Sequence, residues 1–353
     1  MVQIAKPLIG KEERDAVDEV LKSGNLASGK KVEEFERKFA DFTNTKYAIA
    51  TNSGTSAIHT GLLSLNIRKG NEVIIPGFSF IATANTILHC GAKPVFCDIN
   101  IKTYNINPDK IERLITNKTK AIMPVHLFGQ PADMKNILRI AKDYNLKVIC
   151  DACQAHGAEY KGKKIGGFGD LECFSFYPTK NMTTGEGGII TTNNKDIYER
   201  AKSIINHGRK INKRGYIHWK NGYNYRMTDI AATIGLEQLK KLPEFNKRRR
   251  ENASYYNKYL TRVGLPYVLR DAKHIYHQYT IKTNYRKLLL RRLEKNNIGY
   301  GIYYPHPLYY YPHLKKYKDG KLQYTEEACK KVVSIPVHPS VTKNDLKKVT
   351  RAI

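Results

Sequence analysis

The sequence predicts an α/β protein with a large, mostly parallel central sheet and a smaller α+β C-terminal domain. Three observations carry this. Short apolar runs alternate with amphipathic helical stretches from residue 10 to about residue 239, the order of elements that builds a parallel sheet. Runs such as Glu72-Val73-Ile74-Ile75-Pro76 and Lys147-Val148-Ile149-Cys150-Asp151 are nearly unbroken in their apolar character, as strands covered on both faces are. From about Leu242 the composition shifts to long basic helices with few strands between them. At 353 residues the chain also exceeds the roughly 250–300 at which a single core stops growing. Two domains are therefore expected, residues 1–241 and 242–353.

In chain order, residues 10–23 read as an amphipathic helix with Val17, Val20 and Leu21 on one face and Gly24 just past its end, and residues 32–42 repeat the pattern. Tyr47-Ala48-Ile49-Ala50-Thr51 is a short strand, followed by Ser53-Gly54-Thr55-Ser56 and a helical run over 57–65. A strand, a small-residue turn and a helix make an anion site, because the free N–H groups and dipole of the helix start face the turn; Ser and Thr also cap many helices that bind nothing. Strands follow at 72–76, 94–98, 121–125 and 147–151, with helices ending near His89 and spanning 134–144. Asp151 thus stands at a strand C-terminus, where ligands gather in parallel sheets. Strands at 171–176 and 188–192 flank a glycine-rich loop, and a helix covers 197–205. Residues 206–221, polar and punctuated by Gly208 and Gly215, read as an exposed excursion leading to Gly222. A helix over 229–239 precedes Pro243, a plausible boundary. Beyond it, helices are expected at 247–263, 286–297 and 343–352, and strands at 278–283 and 299–304.

Composition narrows the function. With 41% hydrophobic and 26% charged residues the chain is an ordinary globular protein rather than a disordered one. The N-terminus lacks the apolar core of a signal peptide and no apolar run approaches the ~18 residues that span a bilayer, so a cytoplasmic location and no membrane partner are expected. Six cysteines, Cys90, Cys97, Cys150, Cys153, Cys173 and Cys329, in a chain this long do not read as a disulfide framework. Cys150 and Cys153 form a C-x-x-C with no second copy, which favours buried thiols over a metal or redox pair. A net charge of +28 admits nucleic acid, an anionic membrane or an acidic small substrate as partner. The positive residues are scattered over helix faces, and only Lys247-Arg248-Arg249-Arg250 forms a compact run. A solvated basic surface is the better reading, one that would still attract an anionic small molecule.

One stretch organises the chain: Phe174-Ser175-Phe176-Tyr177-Pro178-Thr179-Lys180-Asn181-Met182-Thr183-Thr184-Gly185-Glu186-Gly187-Gly188. Lys180 lies between a strand end and a glycine-rich turn, a framework that can point it inward. A desolvated lysine has a lowered pKa and can bond covalently to a carbonyl. Together with Ser53-Gly54-Thr55-Ser56-Ala57, Asp151-Ala152-Cys153-Gln154-Ala155-His156-Gly157-Ala158 and Gly222-Tyr223-Asn224-Tyr225-Arg226, this stretch resembles the DegT/DnrJ/EryC1/StrS family of sugar aminotransferases, from about Pro7 to about Pro339. The resemblance implies an aspartate aminotransferase-like fold (fold type I), with pyridoxal 5′-phosphate (PLP) bound in the large domain.

The resemblance also implies roles. Lys180 would hold PLP and shuttle a proton, and Asp151 would keep the pyridine nitrogen protonated so that the ring can act as electron sink. The phosphate falls to Gly54, Thr55 and Ser175, completed by Asn224 of a neighbouring subunit in a homodimer with shared sites. Phe80 takes the ring-stacking position and Gln154 the polar position beside the cofactor, although an aromatic near a strand end more often packs in a core. His126, Glu186, Tyr304 and His306 receive no chemical step. The expected reaction moves an amino group from an amino acid, glutamate by resemblance, to a nucleotide-linked keto-sugar. The Thr-Thr-Gly-Glu-Gly-Gly loop looks more like members acting on 4-keto than on 3-keto sugars, and retention of Lys180 favours transamination over the dehydration of members with histidine there. Two rivals stand beside this reading: a PLP enzyme acting on amino acids, and a DNA-binding regulator on the same fold, against which no helix-turn-helix or separate basic domain is visible.

Overall fold

A computed structural model describes residues 1–210 and 217–353; Gly215 and its neighbours in the expected excursion lie outside the described residues. The central sheet has seven strands. In chain order they are β1 (Tyr47–Thr51), β2 (Glu72–Pro76), β3 (Lys93–Cys97), β4 (Thr119–Ile122) and β5 (Lys147–Asp151), then, after a small hairpin of β6 (Glu159–Tyr160) and β7 (Lys163–Lys164), β8 (Leu171–Ser175) and β9 (Gly188–Thr192). Their spatial order is β1-β9-β8-β5-β4-β2-β3. Only β9 runs against its neighbours, and every other pair in this sheet is parallel. The α/β architecture with a mostly parallel sheet is therefore as expected.

Both faces of the sheet are covered, which explains the unbroken apolar strands. On one side α2 (Lys30–Thr43), preceded by α1 (Lys11–Ser23), packs Phe35 and Phe39 edge-on against Phe174 and Phe176, with ring centroids 5.1–5.5 Å apart. On the other side α3 (Gly54–Ser64) and α4 (Ala82–His89) bury Ile58, Leu62 and Ile87 in a second cluster. Along β5, Val148 and Cys150 serve the first cluster and Ile149 the second, the period-two alternation of a strand with two buried faces. Helix α5 (Met134–Asp143) adds Ile137 and Ile140 to the first cluster, and α6 (Lys195–Ile204) adds Ile197 and Ala201 to the second.

Pro243 does not end a helix. A single helix, α7 (Asp229–Tyr259), runs through it. A proline inside a helix forfeits one backbone bond, but α7 is held on both sides of the defect: Ala232, Leu236 and Leu242 lie in the core of the large sheet, and Ala253 and Tyr256 in a separate C-terminal core. After β10 (Ala272–Lys273), which joins the small hairpin sheet, that second core is built on β11 (Tyr279–Lys282), α8 (Arg286–Lys295), β12 (Val332–Ile335) and α11 (Lys343–Ala352), whereas α9 (Pro312–Lys315) packs Leu314 into the second cluster of the large sheet and α10 (Gln323–Lys331) buries Ala328 and Cys329 beside Phe78 and Phe128. Strands β11 and β12 pair antiparallel. The strand expected at 299–304 is reduced to one bridge, Gly301 to Ser334. Val2 crosses to the C-terminal core, pairing with Ile298. All six cysteines are free, and among the described residues no helix is long and apolar enough to cross a membrane.

A carboxyl group, that of Glu172, is fully enclosed on β8; its Oε1 accepts the Phe168 N–H at 2.7 Å and its Oε2 has no partner. Burial raises its pKa from 4.5 to about 7. Between those values the native protein holds a proton that the unfolded chain has released, so stability falls as pH rises through the window. Glu172→Gln keeps an acceptor for Phe168 and removes the ionisation. In denaturant titrations the variant should exceed the parent by about 1–3 kcal/mol at pH 8 and lose that advantage toward pH 4.5; equal pH profiles would refute it.

Candidate active site

The strand C-termini of β1, β5 and β8 meet the first residue of β9 on one side of the sheet, and a cavity of about 540 Å³ opens there. That is within the ~300–1,000 Å³ typical of cofactor sites. Its floor is Asp151. The carboxylate is buried, with Oδ2 accepting the Thr83 hydroxyl at 2.8 Å and Oδ1 accepting the Cys153 N–H at 3.2 Å. Because Thr83 spends its proton on Asp151, Ser79 is the donor in the 2.8 Å contact between the two hydroxyls. The start of α4 thus holds the carboxylate from one side and the turn after β5 from the other.

Lys180 comes from the β8–β9 connection, which is stitched to the strand that precedes it. The Phe176 carbonyl receives the Thr184 N–H and the Thr183 hydroxyl, the Phe176 N–H donates to Gly187, and the Lys180 N–H donates to Tyr177. Gly185 turns the loop at φ +82°, in the left-handed region that favours glycine. The side chain of Lys180 is half-buried and lines the cavity. Burial lowers its pKa below the usual lysine value, while Cys153 and Asp151 pull the other way. Among the described residues no hydrogen bond or ion pair anchors its Nζ, so the amine is positioned by its backbone and remains available.

The opposite corner is suited to an anion. Helix α3 begins at Gly54, three residues earlier than the sequence pattern suggests, with Ser53 capping the Ser56 N–H at 3.0 Å. The N–H groups of Gly54 and Thr55, the first two of the helix, have no intrahelical acceptor, and both residues line the cavity. A Cβ on Gly54 would sit 2.6 Å from Ser175 Cβ and 3.0 Å from Ser175 Oγ. Only glycine lets the helix start and the Ser175 hydroxyl share this corner.

Phe80 is 54% exposed at the cavity wall, with its ring 6.2 Å from that of Tyr304. It is not a core residue. Gln154 is fixed at both ends: its Oε1 accepts the Phe128 N–H at 2.7 Å and its Nε2 donates to the Tyr304 hydroxyl at 3.1 Å. Seven of the eight residues singled out in the sequence, Gly54, Thr55, Phe80, Asp151, Gln154, Ser175 and Lys180, therefore surround one cavity. The eighth does not. Asn224 is exposed, bridges to Asn206, and accepts from Asn52 through its carbonyl.

Sequence reasoning missed Thr83, Ser79 and His277, which also line or brace the cavity; a hydroxyl inside a helix start and a lone histidine 97 positions after Lys180 carry no local signal. Glu186 and Tyr304, left unassigned, line it too. His126 does not. Its Nδ1 accepts the Ala132 N–H at 3.0 Å, and burial drives its pKa down to about 3. Although His126, Cys150 and Glu172 bring potential ligand atoms within 4.8 Å of one another, a neutral ring whose Nδ1 is already an acceptor keeps its proton on Nε2, with no lone pair left for an ion. His306 stacks on Tyr310 at 3.9 Å, away from the cavity lining.

The residues present fit the phosphorylated pyridine aldehyde that the resemblance implies. An anion corner, a buried carboxylate, an unanchored amine and an exposed aromatic ring face the same space. Gly54→Ala should push α3 off Ser175 and weaken PLP retention at least tenfold in a spectroscopic titration after dialysis, with far-ultraviolet circular dichroism unchanged; parental affinity would refute the close-approach argument.

Comparison with known proteins agrees. The chain matches the DegT/DnrJ/EryC1/StrS aminotransferase family over residues 7–353. GDP-perosamine synthase of Caulobacter vibrioides is 38% identical, aligned over 100% of this chain and 97% of its own. The dTDP-3-amino-3,6-dideoxy-alpha-D-galactopyranose transaminase of Aneurinibacillus thermoaerophilus is 39% identical, over 97% and 94%. Among solved structures, ntda from Bacillus subtilis with bound cofactor PMP has a TM-score of 0.90 at 35% identity, covering 98% of this chain and 82% of that one. With the family matched across nearly the whole chain and the fold shared with its solved members, the protein belongs to the DegT/DnrJ/EryC1/StrS family and is a PLP-dependent aminotransferase.

Proposed function

We propose that the enzyme transfers the amino group of an amino acid, glutamate by family resemblance, to the keto carbon of a nucleotide-linked sugar, a 4-keto sugar on the character of the Thr183–Gly188 loop. The observation that carries the reading is the unanchored amine of Lys180, of lowered pKa, facing the buried carboxylate of Asp151 across one cavity. PLP, when bound, supplies an electron sink for the bond made or broken at the amino carbon. Every other task belongs to the chain. Lys180 holds the cofactor and, once released, its Nζ takes and returns the proton at the donor and acceptor carbons. Asp151, braced by Thr83 and the Cys153 N–H, keeps the pyridine nitrogen protonated. Gly54, Thr55 and Ser175 receive the phosphate, Phe80 covers a ring face and Gln154 holds a polar edge.

Similarity to GDP-perosamine synthase supports a nucleotide-sugar acceptor, and the net charge of +28 suits an anionic one. A second reading, a 3-keto sugar, is supported by the 39% identity to the dTDP-3-amino sugar transaminase and by 36% identity to the UDP-2-acetamido-2-deoxy-3-oxo-D-glucuronate aminotransferase of Pseudomonas aeruginosa. A panel of GDP-, dTDP- and UDP-linked 3-keto and 4-keto sugars, read by conversion of glutamate to 2-oxoglutarate, separates them. Turnover of no keto-sugar would refute both.

We also propose that the active enzyme is a homodimer with shared sites. Asn224 lies outside the cavity of its own chain and is exposed, and Trp219, five residues before it, is 61% exposed; docking on a second copy would bring Asn224 to the partner's phosphate corner. Residues 1–241 are proposed as the PLP-binding domain and 242–353 as the smaller one, with α7 and Val2 tying the two together.

Two outcomes test these assignments. Lys180→Ala should lose the visible absorbance of covalently held PLP and reduce turnover by about 10³-fold or more; undiminished activity would overturn the assignment of the site. Lys180→Ala mixed with Asn224→Ala, each inactive alone, should regain part of the activity as subunits exchange. A fully active monomer at assay concentration would refute the shared site.

A further inference from the structure

His277 lies between β10 and β11 and forms part of the cavity wall, 5% exposed. Its Nδ1 is 3.1 Å from Oδ1 of Asn181, the residue after Lys180. A chain of buried amides settles which of the two carries the hydrogen. Asn246 Nδ2 lies 2.8 Å from the main-chain carbonyl of His156, and a carbonyl can only accept. The Oδ1 of Asn246 is then the atom facing Asn181, and it receives the Asn181 Nδ2 at 2.7 Å. That leaves Asn181 Oδ1 turned toward the histidine, so His277 must donate from Nδ1.

The ring is neutral. Burial first, then the charges of Lys180 and Arg249, hold its pKa well below 6.5, with smaller contributions from His156 and His274. A neutral ring protonated at Nδ1 has a lone pair on Nε2. No hydrogen bond to Nε2 occurs among the described residues. Nor is it sealed in the interior, unlike Nε2 of His126 and both ring nitrogens of His156. The cavity that His277 lines is where this atom meets solvent.

We propose that His277 is a specificity-determining residue whose Nε2 accepts a hydrogen bond from a hydroxyl of the sugar bound in the cavity. This rests on the keto-sugar reading above. Two of its polar neighbours in the cavity are already engaged, the Gln154 amide by Phe128 and Tyr304 and Asp151 by Thr83 and Cys153. An acceptor whose tautomer is locked from behind discriminates by chemistry as well as shape. A hydroxyl can donate to it and a ketone oxygen cannot, so the sugar is favoured in the orientation that turns a hydroxyl, not its keto group, toward His277. A site built to bond a hydroxyl strongly disfavours a group that cannot return the bond.

Two measurements on the holoenzyme test the proposal. In ¹⁵N-histidine-labelled protein, the two-bond nitrogen–proton correlations of His277, assigned by its loss in His277→Phe, should show the Nδ1–H tautomer; an Nε2–H ring overturns the proposal without reference to any substrate. In kinetics, His277→Phe should raise KM for the keto-sugar about 10–100-fold more than KM for the amino donor. His277→Gln, whose amide oxygen can replace the Nε2 acceptor, should recover part of that loss. Equal effects on both substrates, or no rescue by glutamine, would reduce His277 to a structural residue. If the parent turns over other carbonyl substrates but no keto-sugar, the substrate reading fails and this proposal with it; sugar turnover with an unaltered sugar KM in His277→Phe overturns this proposal alone.

Discussion

Gly188 opens β9 between Thr51 of β1 and Ser175 of β8, and at this point three backbones approach so closely that a Cβ would collide with the Ser53 carbonyl. The anion corner of the cavity depends on that approach. It draws the Ser53 cap, and with it the first N–H groups of α3, against the end of β8. The antiparallel placement of β9 follows from the same constraint, since the chain must leave β8, present Lys180 and return within the twelve residues before Gly188. The lysine loop is thus a connection between two paired strands, stitched to Phe176 at its base, and not a free surface loop. A frame of paired backbone can hold the single amine of Lys180 in place without gripping its Nζ.

A second set of buried polar groups stands behind that amine. Asn181, Asn246 and His277 link the residue after Lys180 to α7 and to the segment leading into β11, and Arg249 donates to the Tyr276 and His277 carbonyls from the next turn of α7. Arg249 is fully buried, and enclosure depresses its pKa to about 9. Such groups are costly unless bonded, and here their bonds join the large sheet to the C-terminal core. This explains why α7 continues through Pro243: the helix is needed as one rod because its two halves serve two cores and one polar network. The lost backbone bond at the proline costs less than separating them.

Burial also tunes the chemistry. Lys180, His277 and Asp151 line the same cavity, and burial makes the amine of Lys180 easier to deprotonate and keeps the imidazole of His277 neutral. The +28 charge of the chain acts at longer range, drawing anions toward the surface without deciding which is bound. Donors and acceptors of fixed orientation are found in the cavity, where Thr83 holds Asp151 and Phe128 and Tyr304 hold Gln154.

Much of this was legible in the sequence because it is local. Apolar runs report strands, and the places of Ser53-Gly54-Thr55, Asp151 and Lys180 after strand ends point to the C-terminal edge of a parallel sheet, since a strand end and the turn after it are contiguous in the chain; Gln154 and Ser175 entered through the family resemblance. What tertiary structure alone decided is non-local. The order of strands depends on pairing between segments distant in the chain, most of all β1 with β9, where Tyr47 pairs with Thr192. Helix α7 passes Pro243 because packing on two cores outweighs a local helix breaker. Thr83 and His277 belong to the cavity through contacts 68 and 96 residues away in the chain, and the tautomer of His277 is set by a carbonyl at His156 that no pattern of neighbouring residues encodes. Hydrogen-bond direction is a property of the folded network, and the sequence by itself holds only its members.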